Sequence, residues 1–278
     1  MAITKEEFDL IRQFVHEHSG ILIADGKEYL VENRLNVLMV QSGCRNFLEL
    51  HERLQKDGGP LRTRAIDAMT TNETLWFRDV SFFSALTDFV VPLLMEKASQ
   101  KPTVRIWSAA CSTGQEPYSI AMLLGDAHRA AGSRVKTRLS QFSILATDIS
   151  PSAIAIATAG RYSQLAISRG MRANFLENFF TQIDASAYEV RPEIRSMVTF
   201  RQFNLKESFK ALGLFDFILC RNVLIYFSNE LKAEIYAKIY EVMHSDGLLA
   251  IGASESPRGY TARFEQVSVG SSVLYRPV

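Results

Sequence analysis

The sequence predicts an α/β fold: a doubly wound, Rossmann-like parallel sheet, preceded by an all-helical N-terminal domain and carrying a small β insertion. Three observations predict it. Residues 1–70 place apolar side chains at helical spacing between capping residues and contain no β-rich run. From residue 103, short β-branched and aromatic runs alternate with helical stretches, as in a parallel sheet covered on both faces. Residues 104–119, VRIWSAACSTGQEPYS, pass from an apolar strand through small residues into an apolar helix, the opening unit of such a sheet.

In the first helix Thr4 and Glu7 form a capping-box pattern, Phe8, Ile11 and Val15 make an apolar stripe, and Gly20 supplies the stop. A second helix from about Lys27 sets Val31, Leu35 and Leu38 on one face and ends near Gly43. Asn46 with Glu49 repeats the capping box ahead of a third helix that stops at Gly58 and Gly59. Pro60 suits the first turn of a fourth, running to Met69. Residues 71–98 read as a linker and a helix, with Asp79 as the helix cap. The remaining residues, 99–278, form the α/β domain.

In that domain strands are expected at residues 104–108, 142–147, 215–220 and 248–252. Helices are expected after Pro117, behind the Ser150–Pro151 cap, and over residues 228–244 with Leu231, Ile235, Ile239 and Val242 on one face. Residues 264–269 and 272–276, broken by Gly270, suit a hairpin adding an antiparallel edge. Residues 158–203 break the alternation with a helix-like stretch (172–180) and two strand-like runs (188–191 and 197–203), the small β insertion. A polar stretch, 129–141, lengthens the connection between the first two strands.

Composition sets limits on function. With 47% hydrophobic and 22% charged residues the chain is an ordinary globular one, and its net charge of +1 gives no global case for nucleic acid. Cys44, Cys111 and Cys220 are widely spaced with no CxxC pair and no His at ligand spacing, which argues for a reducing compartment and against a metal site. MAITKEEFD turns acidic too early for a signal peptide, and no apolar run approaches membrane-spanning length, so a cytoplasmic protein is expected.

The strand-end loops carry the chemistry. The small-residue loop beginning at Ser108 has no Lys and leads into Glu116, where a phosphate would be repelled. Asp148 closes the second strand, placed to accept both ribose hydroxyls of an adenosine. Two acids near one crevice suit a ligand with hydroxyls and positive charge, and S-adenosylmethionine has a ribose, a sulfonium and an ammonium. At the third strand end, CRNVLIYF brings Arg221, Asn222 and Tyr226 to the same crevice.

TTNETLWFRD (70–79), WSAACSTGQEPYSIAM, ATDIS, FNL (203–205) and CRNVLIYF, in this order along nearly the whole chain, resemble the CheR family of chemotaxis receptor methyltransferases. The resemblance implies an S-adenosylmethionine-dependent methyltransferase domain, S-adenosylhomocysteine as product, and no metal. It implies transfer to specific glutamates on the cytoplasmic helical domains of chemoreceptors, giving glutamyl methyl esters in chemotaxis adaptation. Asn72, Thr74 and Arg78 match positions lining the cofactor and reaction site. Ala110, Glu116 and Asp148 match cofactor contacts, Asp148 on the ribose. Asn204 and Leu205 would flank the adenine, with Arg221 and Asn222 completing the pocket. Arg78 and Tyr226 match the residues nearest the transferred methyl, the catalytic pair. A glutamate with a pKa of about 4.3 is already ionised at neutral pH, so the absence of a catalytic His fits.

The resemblance also implies that basic residues of the N-terminal domain meet acidic receptor helices. Lys27 and Arg34 are available on the second helix, but Val37, Leu38, Met39 and Val40 follow, so Arg45, Arg53, Arg62 and Arg64 are expected to contribute. In some members the β insertion holds a receptor-tail peptide. A monomer is expected, with no nucleic-acid partner and no membrane insertion. A nucleic-acid methyltransferase would need a basic face and an Asn/Asp-Pro-Pro-aromatic motif, which CRNVLIYF lacks. A cofactor-binding module without transfer would have no need of Arg78 and Tyr226.

Overall fold

A computed structural model describes residues 3–56, 58–132 and 137–278; part of the polar stretch 129–141 lies outside the described residues. Four helices open the chain: α1 (Lys5–Ser19), α2 (Glu28–Gln41), α3 (Phe47–Lys56) and α4 (Pro60–Met69). Thr4 and Glu7 close the capping box on α1, and Gly20 ends it in the left-handed region at φ 81°. Phe8, Ile11, Val31, Leu35, Leu50 and Ala65 meet in one buried cluster, so the apolar stripes of all four helices face inward. Asn46 does accept from the Glu49 N–H at 2.9 Å. The return half of that box is absent: the Glu49 carboxylate takes the Arg45 N–H and guanidinium instead.

After the linker, α5 (Val80–Ala85) continues through a π-helical turn into α6 (Val91–Gln100). The α/β domain then runs β1 (Val104–Ala109), α7 (Gln115–Ala131), β2 (Phe142–Asp148) and α8 (Pro151–Ala159). The insertion follows as β3 (Arg161–Ser163), α9 (Gln164–Ser168), α10 (Ala173–Phe179), β4 (Phe180–Asp184), β5 (Ala187–Val190) and α11 (Pro192–Arg195). The chain closes with β6 (Val198–Gln202), β7 (Phe215–Cys220), α12 (Asn229–Glu241), β8 (Met243–Ile251), β9 (Phe264–Val269) and β10 (Ser272–Pro277).

Seven strands form the main sheet in the order β6-β2-β1-β7-β8-β10-β9. The first five are parallel, and the terminal hairpin adds the antiparallel edge. From β1 the chain winds outward through β2 to β6, then returns to β7 on the other side. The order therefore reverses between β1 and β7, where a crevice must open at the strands' carboxyl ends. Adjacent strand residues serve opposite faces: Ile106 and Phe217 belong to one apolar cluster, Trp107 and Ile218 to the other.

Three expectations need correction. The run 197–203 is no part of the insertion: Val198 pairs with Ile144, making β6 the edge of the main sheet. A half-buried edge strand and an insertion strand carry the same alternation, so pattern alone does not separate them. The insertion's own sheet is β3-β5-β4, antiparallel, and β3 has only three residues, too few to show a period. The last long helix ends at Glu241 rather than residue 244, because β8 begins at Met243, paired with Phe215 ahead of a register shift.

The linker is threaded into the insertion by Trp76, which is 1% exposed. Its indole N–H donates to the Ala166 carbonyl at 3.0 Å and its backbone N–H to the Arg169 carbonyl at 3.1 Å. Gly170 (φ +101°) permits the approach: a Cβ there would lie 2.3 Å from the Trp76 carbonyl oxygen. Gly170→Ala is therefore expected to destabilise the protein by about 1–3 kcal/mol, read as a lower urea midpoint. An unchanged midpoint would show that the joint is looser than this packing implies.

Candidate active site at the sheet reversal

The crevice is a cavity of about 950 Å³ including its open mouth, bounded by the linker, the ends of β1, β2 and β7, the segment after β6, and the N-terminal domain through Ser19 and Ile21. Asn72, Thr74, Arg78, Ala110, Glu116, Asp148, Asn204, Leu205, Arg221, Asn222 and Tyr226 all line it. Among the described residues, non-glycine residues with positive φ are Phe77, Asp79, Ala110, Ser112 and Asn222, all in the linker or the β1 and β7 strand-end loops. Backbone strain is thus concentrated around this cavity.

Ala110 (φ 56°) and Ser112 (φ 51°) turn the chain sharply out of β1, exposing backbone to the cavity. The Ser112 N–H donates to Asp148 Oδ2 at 2.7 Å, and the Ser150 N–H to Oδ1 at 2.9 Å. Burial pushes the Asp148 carboxyl pKa up, while these N–H donors oppose the rise. No cation pairs with it among the described residues. A buried carboxylate with acceptor capacity left over suits hydroxyl donors.

Glu116, in the first turn of α7, accepts from Ser108 Oγ at 2.8 Å and from Arg221 at 2.9 Å. The other arm of the Arg221 guanidinium reaches Asp79 at 2.5 Å, and its Cζ lies 3.9 Å from the Phe82 ring centroid. With a side chain only 2% exposed, Arg221 is a buried cation shared by two carboxylates. This replaces the helix-cap role expected for Asp79, whose side chain accepts no N–H of α5.

The linker residues are pinned unevenly. Asn72 Nδ2 donates to Thr70 Oγ1 and Ser150 Oγ at 3.1 and 3.3 Å, and its carbonyl accepts from Ser112 Oγ at 2.9 Å. Arg34 donates to the Met69 and Thr70 carbonyls at 2.6 and 2.7 Å. It caps α4 and starts the linker, so its guanidinium is not the free docking charge the sequence suggested. Arg78 makes only a 3.4 Å bond to the Glu73 carbonyl, leaving most of its donors uncommitted. Tyr226 is half-buried, and its phenol has no hydrogen-bond partner among the described residues. Its carbonyl accepts from the Leu22 N–H at 2.8 Å, fastening the turn after β7 to the segment following α1.

Asn204 lines the cavity, and its amide donates to the His18 carbonyl at 2.8 Å, joining the two domains. No motif marks Ser19 and Ile21, which also line the cavity, or Glu255, which grips the loop after β7. The small-residue run GASES after β8 was its available signal, another strand-end loop.

Residues 6–70 match the family described as "CheR methyltransferase, all-alpha domain", and residues 72–273 match "CheR methyltransferase, SAM binding domain". The chain is 41% identical over 276 residues to Chemotaxis protein methyltransferase 1 of Pseudomonas aeruginosa, covering 99% of both. It is 40% identical over 272 residues to Chemotaxis protein methyltransferase Cher2 of Pseudomonas putida, covering 97% of each. With the Chemotaxis protein methyltransferase of Vibrio parahaemolyticus it shares 38% over 277 residues, 99% of this chain and 98% of the other.

Two outcomes follow from the geometry. Arg221→Met leaves Glu116 and Asp79 without their shared cation and is expected to cost about 3–5 kcal/mol in denaturant unfolding, the scale of a broken buried pair. The raised Asp148 pKa gives a pH dependence with a definite sign. Burial disfavours the ionised form, so a ligand whose hydroxyls donate to the carboxylate competes with a proton for it. Calorimetry with S-adenosylhomocysteine should show affinity falling on acidification while still above the ordinary carboxylate range, and Asp148→Asn should flatten that dependence. Identical pH profiles for the two proteins would refute it.

Proposed function

Because the chain belongs to the CheR methyltransferase family, we propose that it methylates specific glutamate side chains on the cytoplasmic helical domains of chemoreceptors, forming glutamyl methyl esters in chemotaxis adaptation. Use of S-adenosylmethionine comes with the family. The observation that carries the acceptor reading is that two uncommitted donors, the Arg78 guanidinium and the Tyr226 phenol, line the same cavity as the acids Asp148 and Glu116.

The residues present fit the cofactor. Asp148 would accept the ribose hydroxyls, Leu205, Phe203 and Ile149 would offer apolar surface to the base, and the acids Glu116 and Asp148 suit a cationic ligand. When bound, the cofactor supplies a methyl carbon activated by its bond to a sulfonium sulfur. Arg78 holds the incoming carboxylate, and Tyr226 orients it by donating a hydrogen bond. The bound cofactor would supply the methyl group and keep the electron pair of its carbon–sulfur bond, while Arg78 and Tyr226 hold the carboxylate oxygen that receives the methyl. No proton moves, so the chain needs no general base, and its work is alignment and exclusion of water. Among the described residues no group of three His, Cys, Asp or Glu could hold a metal, and no helix is long and apolar enough to cross a membrane. A cytoplasmic monomer acting on receptor helices is the setting this reading requires.

Incubation with radiolabelled S-adenosylmethionine and receptor cytoplasmic fragments tests the proposal: base-labile label should appear on receptor glutamates. Label on nucleic acid, or binding without transfer, contradicts it. Arg78→Ala should lower turnover by ~10²-fold, the scale of losing one positioned charge donor, while the unfolding midpoint holds. Near-normal turnover in that variant refutes its assignment.

A further inference from the structure

The loop after β7 brings Asn222 and Tyr226 to the cavity, yet few of its own residues hold it there. Asn222 sits at φ 59°, a left-handed conformation unfavourable for a residue with a side chain. The grip comes from one carboxylate outside the cavity lining. Glu255 Oε2 accepts from the N–H groups of Asn222 at 2.8 Å and Gly252 at 2.7 Å; Oε1 accepts from Val223 at 3.1 Å and Ile225 at 3.3 Å. Gly252 makes this approach possible: a Cβ there would lie 2.5 Å from Glu255 Oε2 and 2.9 Å from the Asn222 nitrogen.

We propose that Glu255 is a positioning residue for methyl transfer, holding the strained Asn222 turn so that Asn222 and Tyr226 face the cavity. The inference rests on the reading that Asn222 and Tyr226 serve the transfer site. Four backbone N–H groups converging on one carboxylate form a nest for an anion, and such bonds to a charged acceptor are about twice as strong as neutral ones. Three of the four donors belong to the loop, in the residues leading directly to Tyr226. The Glu255 backbone closes its own turn through a 2.9 Å bond to the Gly252 carbonyl, so the carboxylate is delivered from a short, fixed arm on β8. Neutral Gln cannot reproduce the nest, since its amide NH₂ would face N–H donors.

The test is a double-variant cycle of Glu255→Gln with Tyr226→Phe, scored by kcat at saturating cofactor, with unfolding midpoint and S-adenosylhomocysteine Kd measured alongside. E255Q should lower kcat by about tenfold or more, the scale of a misplaced site group. If Glu255 acts through the loop, the double variant should be no slower than the slower single variant. Losses that multiply overturn the proposal, as a general structural effect would multiply. E255D, which keeps the charge but draws it back by one methylene from the four N–H groups, should reproduce the kcat loss and decides the matter should E255Q fail to fold. Wild-type kcat in E255Q or E255D overturns the assignment. Wild-type kcat in Y226F refutes the Tyr226 reading instead. Glu255 is then judged through Asn222, where a wild-type Kd for S-adenosylhomocysteine in E255Q overturns it.

Discussion

A single buried guanidinium organises the centre of this protein. Arg221 follows β7 at the point where strand order reverses, and it is shared by Glu116 at the start of α7 and Asp79 at the start of α5. Placing a cation there carries a large desolvation cost, offset only while both carboxylates and the Phe82 ring stay in contact. The linker, the first helix of the sheet and the third strand-end loop are thereby held together. The charge balance follows: one guanidinium against two carboxylates leaves one net negative charge, to which Asp148 adds another. The cavity interior suits a cation, while Arg78 supplies positive charge for an acidic acceptor.

The same constraint explains why the walls are built from strained backbone. Ala110, Ser112 and Asn222 adopt positive φ to bring peptide groups into the cavity, and each neighbouring loop is tied down by a carboxylate. Asp148 binds the Ser112 N–H, and Glu255 binds that of Asn222. The N-terminal domain closes the remaining side rather than sitting apart from it. Asn204 holds the His18 carbonyl near the end of α1, Leu22 pairs with Tyr226, and Asp67 of α4 accepts from Ser150 Oγ at 2.5 Å. Through these contacts the helical domain is part of the site, which a sheet-only reading would miss.

Much of this was legible from local chemistry. Thr4, Gly20, Pro60 and Ser150 mark helix ends because caps act within a few residues, and β7 was bounded at Phe215 and Cys220 because its apolar run is uninterrupted. The residues flagged around the cavity come together because the strand-end loops of a doubly wound sheet must converge. What escaped was non-local. The pairing of Val198 with Ile144 is invisible in a half-buried run, and the end of α12 depends on where Met243 finds a partner. The pairing of Arg221 with two distant carboxylates is invisible in the chain. Asp79 looks like a cap and is an ion-pair partner. Glu255 lies 30 to 33 positions beyond the loop residues it grips, at a distance no periodicity reports.

The most direct test of the account is whether Asp148 reads the ribose of the cofactor. Calorimetric affinities of the protein and of Asp148→Ala would be compared for S-adenosylhomocysteine and for its analogue lacking the ribose hydroxyls. The hydroxyls should contribute strongly to binding by the parent protein and little to binding by the variant. An equal contribution in both proteins would mean that the ligand does not meet Asp148, and the assignment of the cavity would fall.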